Sequence, residues 1–364
     1  MNDIAFVFGN VYIHWSGIIL ALAAACTMLM TISLRVFQER EVLSAVLLAP
    51  LALVLGLFFG RLVHWYCRYE QYEGLFAALV KLSGGFSLVG VFFGCLLAAL
   101  ILRLLRVTDN LPALLDCLAP AGMLGIGVGR LSALFTSVSR GKILIGEGFF
   151  RRLPFAAELV NTAGQTEWRF AVFCVQSIVA FAGFAFLTRV FYRTRGRAMK
   201  RENWKDGNVF LLFLMFWGAT EVVLDSMRYD ALFLRSNGFV SMVQVVGAVS
   251  LLFVLVMYSI RSVRANRLRI WHFVLWGLFL ALLGGVGYME YYVQRHGDEY
   301  LLCYSVMSMC MAGIVAVIMS MYRTTARGRE MRRGVVSAAE DPIENDSVPE
   351  NTAGKSTADE KTVG

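Results

Sequence analysis

An all-α bundle that crosses a membrane about nine times is the fold class this sequence predicts, and three observations predict it. Of the 364 residues, 58% are hydrophobic and only 16% are charged, whereas a soluble domain is nearer half apolar and a quarter charged. Mean hydropathy is +0.63. The apolar residues gather into nine runs, each long enough to cross about 30 Å of hydrocarbon, with polar connectors between them.

The runs lie near residues 12–34, 44–66, 84–106, 111–136, 170–192, 208–226, 239–260, 270–289 and 301–322. The first seven make a core domain, 1–262, and the last two an addition, 263–325. Segment 71–82 is apolar but too short to span, which predicts an interfacial or re-entrant helix. Connector 137–169 mixes apolar and polar residues and predicts a small ordered cap. Residues 326–364 shift to Ser, Thr, Glu, Asp, Gly and Lys, the composition of a disordered tail. The eighth run opens with Trp271, His272 and Trp276 and holds nothing polar at depth, so 270–322 is expected outside the core, away from its cavity. The seven cysteines fall mostly in apolar runs without metal-ligand spacing, and they read as buried hydrophobes. No metal and no cofactor is expected. The first residues lack a basic region before their apolar run, so no cleaved signal peptide is expected.

Lysine and arginine placement sets the orientation. Twenty lie in one alternating set of connectors, counting the basic start of the tail, and ten in the other. The heavier set includes 189–205 and the end of the last run, which places the N-terminus outside and the C-terminus in the cytoplasm. The net charge of +8 is mostly this bias, and no nucleic-acid partner is expected. Five of the ten outer cations lie in connector 137–169.

Gly125-Ile-Gly-Val-Gly129-Arg130 closes the fourth run. An arginine inside a bilayer costs about 3 kcal/mol even on the gentlest insertion scale, so it should face a water-filled cavity or an anion. The glycines allow another backbone or a lipid headgroup to come close. Arg140 and Lys142 follow at the membrane surface, and three cations in one hairpin suggest a phosphate-sized anion. Snorkelling to the interface is the alternative for each. A dinucleotide-binding loop is excluded, because no strand precedes these glycines.

Several motifs, in order, resemble those of bacterial prolipoprotein diacylglyceryl transferase. They are Ile13-His14-Trp15-Ser16-Gly17, Gly60-Arg61-Leu62, Gly84-Gly85-Phe86-Ser87-Leu88-Val89-Gly90, Gly129-Arg130-Leu131 with Gly141-Lys142, Trp217-Gly218 through Asp225 and Arg228, and Ser241-Met242-Val243-Gln244. The resemblance covers roughly residues 10–260. It implies transfer of a diacylglyceryl group from phosphatidylglycerol to the cysteine thiol of a lipoprotein precursor, releasing glycerol phosphate. Both would then be partners, with the membrane as a third. Carried onto this chain, it implies Arg130, His14 and Glu221 as catalytic residues. Arg61, Arg140, Lys142, Arg228 and Gln244 become substrate-binding residues.

The chain also departs from the pattern. Val89 stands where the family has His, Ala133 and Thr136 where it has Asn, and Val138 where it has Glu. Trp217 replaces Tyr and Glu221 replaces Arg; Trp168-Arg169-Phe170-Ala171 replaces a further polar stretch. Two alternatives therefore stay open: a non-catalytic paralogue that binds phospholipid or lipoprotein, and a transporter. The Glu221 replacement carries its own expectation. Two intramembrane charges of opposite sign are each costly alone, so Arg130 and Glu221 should point into one cavity and pair.

Overall fold

A computed structural model describes residues 4–340 apart from 10, 81–84, 147, 153–154, 161–163, 196–204, 235–236, 267 and 298. Its long helices are α1 (Trp15–Phe37), α2 (Leu43–Cys67), α4 (Leu88–Leu104), α5 (Leu111–Arg130), α6 (Val172–Arg195), α7 (Asn208–Ser226), α8 (Met242–Asn266), α9 (Ile270–His296) and α10 (Tyr300–Glu340). All but α4 are long and apolar enough to cross a membrane, and each overlaps a run expected from sequence. Between α2 and α4 lies the short helix α3 (Leu75–Val80), within the segment expected to be interfacial or re-entrant.

Helix α4 is shorter than its apolar run. Gly85 has φ +98° and Ser87 is extended, so the helix begins only at Leu88. Its 17 residues rise about 26 Å, at 1.5 Å per residue. Two further runs differ from expectation at their ends. The fourth leaves α-helical geometry after Arg130 and finishes as a 3-10 turn, Leu131–Phe135. The last continues to Glu340, well past 326; the rest of the expected tail, 341–364, lies outside the described residues. Among the cations that set the charge bias, Lys81, Arg197, Lys200, Arg201, Arg235 and Arg267 also lie outside them.

Three two-stranded antiparallel hairpins complete the chain: β1 (Ile4–Phe8) with β2 (Val11–His14), β3 (Ala156–Val160) with β4 (Thr166–Phe170), and β5 (Phe233–Leu234) with β6 (Asn237–Ser241). Trp15 stacks on Phe135 and Gly141 bridges Arg228, so the ends of β2, α5 and α7 meet and the connectors that carry the hairpins share one end of the bundle. Among its described residues, connector 137–169 holds a 3-10 turn at Phe149–Arg152 followed by the β3–β4 hairpin. None of the seven cysteines forms a disulfide.

Helix α7 is the hub. Most of its side chains are buried, from Asn208 through Ser226, and it packs on α5, α6, α8 and α10. Two glycine contacts set the neighbouring helices. A Cβ at Gly125 would collide with Thr27 of α1, and one at Gly127 would meet the Phe181 ring of α6, so the run before Arg130 is where α5 is gripped from both sides. Likewise Gly90 and Gly94 of α4 sit against the α2 backbone. Small residues at such crossings substitute close packing for the hydrophobic drive that lipid does not supply.

The C-terminal pair α9–α10 packs on α7 and α8, and it carries one buried carboxylate just past the eighth apolar run. Glu290, one residue past the expected end of its run, is 3% exposed and points back at the end of α7, where its carboxylate accepts from the Ser226 hydroxyl.

Candidate functional site

Arginine 130 ends α5 because the helix is drawn in at its glycines and then tightens into the 3-10 turn. Its Nη2 donates to Glu221 Oε2 at 3.0 Å, with side chains 13% and 5% exposed. Gln176 of α6 donates from Nε2 to the same oxygen at 2.9 Å. The expected pair is therefore present, and three helices meet at one carboxylate oxygen. Ser177 locks this junction by donating to the Gly127 carbonyl at 2.8 Å. Polar capacity is left over: Arg130 Nε and Gln176 Oε1 are buried with no hydrogen-bond partner, and both bonds to Glu221 land on Oε2.

The cationic loop follows. Its backbone is laced to two neighbours. Gly141 N–H donates to the Phe170 carbonyl at 2.7 Å, Lys142 N–H to the Met227 carbonyl at 2.9 Å, and Tyr229 N–H to the Arg140 carbonyl at 2.8 Å. Ser139 N–H donates to Asp230 Oδ2 at 3.0 Å. A side chain at Gly141 would strike the Phe170 carbonyl, so glycine is needed for this seam. Held this way, Arg140 is buried, with Nη2 on the Thr136 carbonyl and the guanidinium 4.8 Å from the Phe173 ring. Its Nε and Nη1 have no partner, and neither does the buried Nζ of Lys142. Burial lowers the pKa of both groups. Asp230 and Cys174 partly offset this at Arg140, as Glu290 and Asp225 do at Lys142.

Other cations near this loop are already answered. Arg169 pairs with Glu167 at 2.7 Å and lies over the Tyr229 ring. Arg228 pairs with Asp225 at 2.9 Å and Asp230 at 3.1 Å. Burial pulls the Arg228 pKa down, but the two carboxylates outweigh it and the net shift is upward. For Asp230 burial raises the pKa, and Arg228 and the Ser139 N–H outweigh it, for a net lowering.

The residues that sequence marked for substrate therefore divide. Arg130, Arg140 and Lys142 carry buried nitrogens without partners. Arg228 is instead the centre of a carboxylate–arginine–carboxylate triad. Gln244 belongs to a helix cap: its Oε1 accepts from Ser241 N–H at 2.8 Å, the Ser241 hydroxyl accepts from Gln244 N–H at 3.2 Å, and Nε2 reaches the Val222 carbonyl. That Ser-x-x-Gln reciprocity is a capping box, so the late motif starts α8 and leaves its amide no free side. Arg61 is 2% exposed. Its Nε reaches the Ala78 carbonyl at 3.0 Å, Nη2 the same oxygen, and Nη1 the Gly85 carbonyl and Tyr72 hydroxyl. That fork ties down α3 and the start of α4. His14 closes β2 in an exposed position, and Trp15 stacks on Phe135, which joins this corner to the turn after Arg130.

Four residues of this assembly escaped the sequence reading: Gln176, Ser226, Asp230 and Glu290. Gln176 had a signal, since a polar side chain inside an apolar span is a site marker by default, and Glu290 lies one residue past the run as read. Ser226 and Asp230 had none.

Residues 3–260 match the family model described as prolipoprotein diacylglyceryl transferase. Similar proteins are named phosphatidylglycerol–prolipoprotein diacylglyceryl transferase. One from Clostridium botulinum (strain Loch Maree / Type A3) is 25% identical over 258 residues, covering 70% of this chain and 95% of the relative. One from Bacillus velezensis is 23% identical over 271 residues, covering 72% and 93%. One from Pediococcus pentosaceus is 23% identical over 259 residues, covering 69% and 89%.

Proposed function

The chain belongs to the prolipoprotein diacylglyceryl transferase family, and from that membership we propose that it transfers a diacylglyceryl group from phosphatidylglycerol to a lipoprotein cysteine thiol. It is a multi-pass bacterial membrane protein; in this reading the hairpin end faces outward, as the charge bias requires. One observation carries the proposal beyond membership. At the end of α5 and at positions 140 and 142 just after it, buried N–H donors have no hydrogen-bond partner: Arg130 Nε, Arg140 Nε and Nη1, and Lys142 Nζ. Unmet buried donors cost about 1–3 kcal/mol each, and a phosphate oxygen answers them. The relatives named above carry the activity in their names, and nothing in the family match favours the non-catalytic alternative or a transporter.

The chemistry follows from the charges. The lipoprotein sulfur attacks the glyceryl carbon bonded to the phosphate oxygen. A carbon–sulfur bond forms, the carbon–oxygen bond breaks, and the oxygen keeps the electron pair as glycerol phosphate leaves. Charge grows on the phosphate, where Arg140 and Lys142 stabilise it in a site of low dielectric. Only a thiolate attacks well. Glu221 Oε1, the carboxylate oxygen not engaged by Arg130 or Gln176, accepts the thiol proton in this reading. Protonating Glu221 weakens its hold on Arg130, so the Arg130 charge turns to the leaving group as that group needs it. His14 stands at the outer rim as an interfacial residue and not as the base.

Purified protein in phosphatidylglycerol vesicles, given a peptide with a lipobox cysteine, should yield a diacylglyceryl adduct by mass and free glycerol phosphate. No adduct from the intact protein overturns the proposal. Reporter fusions within 143–165 test the orientation, and a reporter active in the cytoplasm at that position reverses it.

A further inference from the structure

Two buried groups lie on either side of the boundary of the family match. On the matched side, Lys142 Nζ is buried without a hydrogen-bond partner. The carboxylates whose charge reaches it are Glu290 and Asp225. Asp225 is committed elsewhere, with Oδ1 on Arg228 and Oδ2 on the Ser241 hydroxyl. Beyond the match, Glu290 of α9 takes the Ser226 hydroxyl on Oε2 and the Gln294 amide on Oε1 at 2.6 Å, and it makes no ion pair among the described residues. Tyr304 of α10 donates to the Ser226 carbonyl at 3.2 Å. Both added helices thus grip the last residue of α7. The next residue, Met227, supplies the carbonyl that holds the Lys142 backbone.

We infer that Glu290 is a positioning residue for the anion site. Through the Ser226 hydroxyl it fixes the 226–228 strap on which the Lys142 backbone hangs, and it supplies a countercharge to the Lys142 ammonium. The pair α9–α10 is then a working part of the site, contrary to its expected place outside the cavity. The inference rests on Lys142 as a phosphate ligand.

Its direction with pH is fixed. Burial lowers the Lys142 pKa, while Glu290 and Asp225 pull it back up; the cations Arg140, Arg169 and Arg228 and the carboxylate of Asp230 complete the charged groups around its loop. Removing the Glu290 charge must lower the Lys142 pKa further, so the ammonium deprotonates earlier as pH rises.

The test uses the full chain in phosphatidylglycerol vesicles. Glu290→Gln keeps the shape and a hydrogen bond to Ser226 but loses the charge. It should lower kcat/KM for the lipid about tenfold on the alkaline side, where the ammonium is lost. It should also move the alkaline limb of kcat/KM down by about one pH unit. Glu290→Asp should recover part of both. In a Lys142→Arg background, Glu290→Gln should leave the limb in place, because guanidinium does not titrate in that range. An unmoved limb where Lys142 is retained, or an equal move in the Lys142→Arg background, overturns the inference. If the intact protein forms no adduct, the transferase reading fails on its own. Retention of phosphatidylglycerol by native mass spectrometry then decides the Glu290 question: weaker retention by both Glu290→Gln and Lys142→Ala supports the inference, and unchanged retention by Glu290→Gln overturns it.

Discussion

Arg61 and Arg130 both have little exposed surface, and their surroundings differ in kind. Arg61 is answered by backbone, with two carbonyls and a tyrosine hydroxyl around its fork and the rings of Tyr72 and Phe86 beside it. Arg130 is answered by a charge, a single carboxylate oxygen shared with Gln176, and keeps a buried Nε without a partner. A guanidinium closed by carbonyls holds a segment in place. One balanced by a carboxylate, with donors to spare, can exchange that partner for another anion. Burial alone does not separate structural from functional arginines; what remains unsatisfied does.

The largest effects should come from breaking the charged pair. Arg130→Ala or Glu221→Ala leaves an uncompensated buried charge, which costs about 3–5 kcal/mol. The double variant should recover part of that loss in a double-mutant cycle of detergent unfolding. Additive losses would mean that the two side chains do not depend on each other. Arg130→Lys sharpens the contrast: stability should stay near that of the parent while turnover falls about a hundredfold, since lysine cannot present a planar fork to phosphate.

The same change at the other arginine should behave in the opposite way. Arg61→Ala takes the guanidinium from the buried Ala78 carbonyl, at about 1–3 kcal/mol for such a group. Unfolding should shift, and limited proteolysis near 75–85 should rise. Turnover per folded molecule in the peptide assay should hold within about twofold. A turnover loss comparable to that of Arg130→Lys would put Arg61 in the substrate site after all.

How much of this was readable beforehand follows from what each signal depends on. Apolar run length is a one-dimensional property, so the spans were legible, and the short start of α4 was flagged only by Gly84-Gly85. The Arg130–Glu221 pair was legible because two opposite charges in one bundle must find each other. Which way Gln176 points depends on the rotation of α6, which no local pattern fixes. Glu290 was missed because the apolar run was closed one residue before it. Gln244 carried two signals, a substrate motif by resemblance and a capping box by spacing, and the geometry follows the local one.

Gln244→Ala takes the comparison to a smaller scale. It removes the acceptor for Ser241 N–H and the donor to Val222, but it touches neither cation group. A lost cap costs about 1 kcal/mol. A modest drop in thermal stability with unchanged turnover fits the capping role. A raised KM for phosphatidylglycerol at unchanged stability would return Gln244 to the substrate.

The smallest effect lies in the triad beside the loop, and pH reveals it. In the folded protein Asp230 titrates below its ordinary value of 3.8: burial raises its pKa, but Arg228 and the Ser139 N–H more than offset that. The unfolded chain therefore takes up the proton first as pH falls. The contribution of Asp230 is complete above about pH 4 and disappears as pH drops through the lower, folded value. Asp230→Asn keeps the shape of the group and removes its charge, so it should cost about 1 kcal/mol at pH 7. The gap from the parent should close on acidification below pH 4, when both proteins carry a neutral side chain at this position. If the gap is constant from pH 7 to pH 3, the triad is held by packing and the Asp230 charge has no part in seating the loop that carries Arg140 and Lys142.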